Sequence, residues 1–150
     1  MRQADRPTVP HGIVAARERV RRFGPVAGLL VPAVTLAAAA GLYQASPCNG
    51  ATCVKGRLGS WVLAAFALPT ALPCGLPLRS GTIRYVIALV TSALFWALLG
   101  LVAARRASRR AVVTWRAWWA EFGWYVAAVW VGELIGLRLL ASVLTRRGIA

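Results

Sequence analysis

Three windows of the chain carry no charged side chain, residues 23–54, 58–78 and 85–104, and a fourth apolar run over 118–144 contains only Glu121, Glu133 and Arg138. About 20 apolar residues in a helix cross a hydrocarbon core of ~30 Å, so each stretch has room for one span. The pattern predicts an all-α, polytopic membrane protein: a four-helix transmembrane bundle over 23–150, with spans near 24–43, 60–78, 85–104 and 118–144, preceded by a basic tail over 1–22.

Proline placement distinguishes the spans. Pro25 falls in the first turn of the first span, where a missing amide is harmless, whereas Pro32 is placed to kink it. In the second span Pro69, Pro73 and Pro77 recur every four residues and Gly75 loosens the same region. Each proline removes an amide that would bond one turn back, so this helix is expected to be proline-broken, either kinked or re-entrant. Such a break is tolerable only where protein or water satisfies the freed carbonyls. The third span is regular, with Ala93, Ala97, Gly100 and Ala104 forming a small-residue face that permits close helix approach.

Composition agrees with a bilayer as solvent. At 150 residues, 59% hydrophobic and a mean hydropathy of +0.63, the chain is too apolar for a small soluble domain. The net charge of +14 is carried by arginine blocks flanking the apolar windows. There it reads as a topology determinant and as contact with anionic headgroups of the lipid bilayer, rather than with nucleic acid. The first apolar run is long for a cleaved signal and Pro47 precedes Cys48, so it reads as a retained anchor.

Orientation depends on whether segment 60–78 crosses. With four crossings and a cytoplasmic N-terminus, ten lysines and arginines lie inside and seven outside; if the proline-rich segment does not cross, eleven lie inside and six outside, with Arg138 in the membrane. Four crossings are expected because a charge-free segment of this length normally spans. Either way loop 44–59 is outside, in an inner (plasma) membrane protein.

Candidate chemistry is sparse. Glu133 is a carboxylate at bilayer depth, which costs at least ~2.5–3.5 kcal/mol on insertion scales and therefore normally faces protein or a cavity. Arg138 does not neutralise it within the helix, because five residues turn it about 140° around the axis; it is expected to snorkel toward Arg146 and Arg147. Ala128, Gly132 and Gly136 form a small-residue stripe suited to helix packing. Trp115, Arg116, Trp118 and Trp119 read as an interfacial belt. Cys48 and Cys53 bracket an Asn49-Gly50 turn outside the membrane and are expected to form a disulfide. A thiol oxidoreductase similar to the small quinone-linked disulfide formers needs a C-x-x-C pair and a relay pair, whereas this spacer is four residues long and only Cys74 is left. His11 is the single histidine, so no metal cluster or cofactor is expected and a catalytic site is not.

The function expected from these residues is that of a small accessory or assembly subunit of a larger membrane complex, docking through the last helix onto a membrane-protein partner or a second copy. The alternatives are a small transporter or channel component using Glu133 as its intramembrane carboxylate and, more remotely, a thiol-disulfide membrane protein.

Overall fold

The computed structural model describes residues 11–45, 51–71, 73, 81–110 and 113–146. All regular structure among them is helical: α1 (His11–Ala27), α2 (Leu30–Ala45), α3 (Ala51–Ala67), α4 (Thr82–Ala107) and α5 (Trp115–Arg146). Three stretches are long and apolar enough to cross a membrane: Ala15–Ala45, Thr82–Ala107 and Trp115–Val143. By length and composition these are helices of the kind found in membrane proteins. In α3 the apolar part is shorter, Arg57–Ala67.

The first of these stretches is α1 and α2 joined end to end. Pro32 has no amide to offer Gly28 and its ring crowds that carbonyl, so the ladder loosens at Gly28–Leu29. There Leu29 N bonds Val26 O at 3.0 Å in a tighter turn before Ala33 N resumes the α pattern on Leu29 O. The 22/23 boundary drawn from the charge pattern falls inside α1, which continues through it.

Close approach of α1 to α4 rests on missing side chains. A Cβ on Gly24 would stand 2.7 Å from Ala104 Cβ, one on Gly28 would stand 2.8 Å from the Trp96 carbonyl, and one on Gly100 would stand 2.6 Å from the Gly24 carbonyl. Gly24-x-x-x-Gly28 thus supplies the flat surface on which Gly100 and Ala104 sit, the close crossing used in lipid, where hydrophobic burial does not drive helices together. Of the small face expected on the third span, Gly100 and Ala104 make this contact while Ala93 is exposed. Val20, Trp96, Ala103, Ala107, Trp118 and Phe122 fill the core beside it.

The second expected span is placed differently. Rather than 60–78, the helix is Ala51–Ala67, beginning outside the charge-free window and ending two residues before Pro69. Pro69 has no amide for Ala65 O, which accepts instead from Leu68 N at 3.1 Å, and Ala71 N then turns back onto Leu68 O at 2.8 Å. Gly75 and Pro77 lie outside the described residues. α3 runs antiparallel to α2, with the Arg57 guanidinium 5.3 Å from the Tyr43 ring near one end and Ala64 beside Leu36 further on. Because α4 is antiparallel to α1 and α2, α3 and α4 run the same way. The tip of α3 meets α4 at Trp96, near the middle of that 26-residue helix.

The glycine crossing predicts opposite outcomes for two similar substitutions. Gly100→Ala must displace backbone and is expected to lower stability by about 1–3 kcal/mol. Gly132→Ala, with nothing within 4 Å of the added carbon, is expected to be neutral or stabilising by up to about 1 kcal/mol through helix propensity. Unfolding of each variant in detergent, followed by circular dichroism, measures the difference.

Candidate functional site between α3 and α5

A helix that stops in an apolar layer leaves carbonyls without partners, and each such group costs several kcal/mol there. At the tip of α3 one of them, Ala67 O, is met by α4. Trp96 Nε1 donates to Ala67 O at 2.9 Å. Thr70 Oγ1 donates to Ala88 O at 2.9 Å and lies 2.8 and 2.7 Å from the hydroxyls of Thr91 and Ser92. Ser92 is fully buried, as is Trp96. The chain therefore leaves its helix against a row of hydroxyls rather than against lipid.

The other wall of the tip is α5. Phe122, Val126, Val129, Trp130, Glu133 and Leu137, each buried or half-buried, fall on one side of the helix. Trp130 packs on Phe66 of α3 with ring centroids 5.4 Å apart, and Glu133 is one turn further along the same side. Two polar atoms here, Trp130 Nε1 and Glu133 Oε2, are enclosed with no hydrogen-bond partner among the described residues. One is a donor and the other an acceptor.

The remaining candidates separate. Arg138 is exposed and forms no ion pair with Glu133 among the described residues. Ala128 and Gly132 are exposed, Gly136 is half-buried, and a Cβ on either glycine would meet nothing within 4 Å. Their stripe is therefore not used for packing among the described residues, which make their close approach at Gly24, Gly28 and Gly100. Trp115, Arg116 and Trp119 are exposed at the start of α5, but Trp118 is a core residue rather than a belt residue. It stacks on Phe122 at 4.9 Å and donates from Nε1 to Gly100 O at 3.2 Å, a carbonyl reachable because the glycine crossing leaves it bare. Cys48 and the Asn49-Gly50 turn lie outside the described residues, while Cys53 falls in the first turn of α3. Among the described residues no three His, Cys, Asp or Glu side chains gather as a metal site.

Sequence reasoning passed over Thr70, Thr91, Ser92 and Trp96. Adjacent hydroxyls inside a charge-free window were the available signal for Thr91 and Ser92, since buried hydroxyls in an apolar segment need partners. Scanned against protein-family models, curated proteins and solved structures, the chain matches none.

Removing the donor at the tip tests its role. Trp96→Phe keeps an aromatic ring but leaves Ala67 O unsatisfied, and is expected to cost about 1–3 kcal/mol. Trp130→Phe, whose indole nitrogen has no protein partner, should cost less. Unfolding in detergent compares the two.

Proposed function

We propose that the chain is a small accessory or assembly subunit of the inner (plasma) membrane, crossing three times with its N-terminus in the cytoplasm and docking onto a larger membrane complex through the outer face of α5. The observation that carries the docking reading is a long helix whose outer side has no match among the described residues. Trp124 is 76% exposed. Beside it run Ala128 and Gly132, small positions that give a partner helix close approach and that lipid alone does not require.

Three crossings follow from the length of α3. Its 11 apolar residues, Arg57–Ala67, rise about 16 Å, half of a hydrocarbon core of ~30 Å. With its tip held against the middle of α4, α3 enters and the chain returns to the side where α4 begins. This re-entrant path puts eleven lysines and arginines inside against six outside, the larger asymmetry of the two topologies.

Gly132→Leu is expected to abolish co-purification of the partner in mild detergent while insertion and unfolding of the isolated chain stay unchanged. Retention of the full partner complement by Gly132→Leu contradicts docking through this face. A second reading, a transporter or channel component, is favoured by the enclosed Glu133 and Trp130 atoms. On that reading purified protein in liposomes conducts protons or cations, and Glu133→Gln abolishes the flux while preserving packing. If wild-type protein shows no flux above empty liposomes, the second reading fails.

A further inference from the structure

Arginines far apart in sequence converge at one end of the helices. Val20 of α1 is buried in the same cluster as Ala103 and Ala107 of α4 and Val113 and Trp118 beyond it. This plug brings the arginine-rich turns 17–22 of α1 beside the arginine-rich end of α4, 105–110, and beside Arg116 at the start of α5. The Arg17 guanidinium donates to the Arg110 carbonyl at 3.4 Å across 93 positions of sequence. All nine arginines of these three stretches are exposed.

The two acids in the same stretches offset little of this charge. Glu121 is taken up by Arg110, and Glu18 forms no ion pair among the described residues. Arg106 lies over the Tyr125 ring at 6.0 Å. The side chains of Arg19, Arg21, Arg105, Arg109 and Arg116 have no hydrogen-bond, ion-pair or ring partner among the described residues. So many like charges on one small surface repel each other, and a bound anion relieves that repulsion. Guanidinium groups match phosphate oxygens in paired hydrogen bonds.

Depth identifies the anion. Trp115 and Trp119, 40% and 43% exposed, flank the arginines, and such rings favour the headgroup layer. The three apolar stretches begin or end at the same level. We propose that this end of the molecule is a binding site for anionic phospholipid headgroups, formed only when α1 packs on the end of α4. It is distinct from the outer face of α5 and stands without the docking reading.

Native mass spectrometry of the full-length protein, released from mixed micelles containing equal phosphatidylglycerol and phosphatidylcholine, tests the site. Preferential retention of phosphatidylglycerol is expected, weakening by about fivefold for each arginine neutralised in an Arg105→Gln/Arg109→Gln variant. Arg105→Lys/Arg109→Lys should keep most of the preference, and Arg84→Gln/Arg146→Gln, which alters the other ends of α4 and α5, should leave it unchanged. Equal retention of the two lipids by the wild type, or an equal loss in the Arg84/Arg146 variant, overturns the proposal. So does displacement of phosphatidylglycerol by a single-stranded oligonucleotide that the wild type prefers, which would assign the surface to nucleic acid.

Discussion

The structure depends on how backbone carbonyls are satisfied where a helix ends within the apolar layer. Trp96 Nε1 donates to Ala67 O, and the position of nearly every other element follows from that bond. To reach it, Trp96 stands at the centre of α4 with Phe122 of α5 against its ring edge at 6.2 Å. α1 must then pass over the backbone of Trp96 itself, which only a glycine at position 28 permits, since a Cβ there would come within 2.8 Å of the Trp96 carbonyl. Water would serve α3 equally well at a soluble surface. Here the Trp96 indole takes its place at Ala67 O, and the hydroxyls of Thr70, Thr91 and Ser92 bond one another and carbonyls of α4.

This sealed tip divides α5 into two unlike halves of its circumference. The inner side continues the core from Phe122 to Trp130 and then, where hydrophobic packing would continue, presents Glu133. The outer side carries small and large apolar residues that meet nothing among the described residues. A bilayer accepts the outer side as it stands, but it does not explain why Gly132 is there, because glycine costs helix stability unless something approaches closely. Glu133 raises the complementary question on the inner side, where an enclosed carboxylate oxygen without a partner is costly unless it is hydrogen-bonded or holds a proton.

Much of this architecture was legible in the chain. Charge-free windows located α2 and α4 because a lysine or arginine within the hydrocarbon layer is expensive enough to mark its edges. They misplaced α3 because Lys55 and Arg57 sit within the helix itself, so the charged residues marked the edge of its apolar part rather than the start of the helix. Where α3 stops depends on Thr70 finding Ala88 and Ser92, partners that no local pattern around Pro69 reveals. Small-residue spacing was equally ambiguous: Gly24-x-x-x-Gly28 and Gly132-x-x-x-Gly136 read alike, and only the neighbours separate the crossing that is made from the face left open. Trp118 and Trp119 are adjacent in sequence but turn 100° apart, which sends one into the core and leaves the other at the surface.

The re-entrant path of α3 is the claim on which the topology rests, and the sidedness of two positions decides it. With the native cysteines replaced by serine, single cysteines at Leu58, at the outset of the apolar part of α3, and at Gly81, before α4, are labelled in intact cells with a membrane-impermeant maleimide. The re-entrant path predicts that both react from outside, without permeabilisation. Reaction of the position-58 cysteine in intact cells, with the position-81 cysteine reacting only after lysis, would mean that the segment crosses fully and would contradict the account.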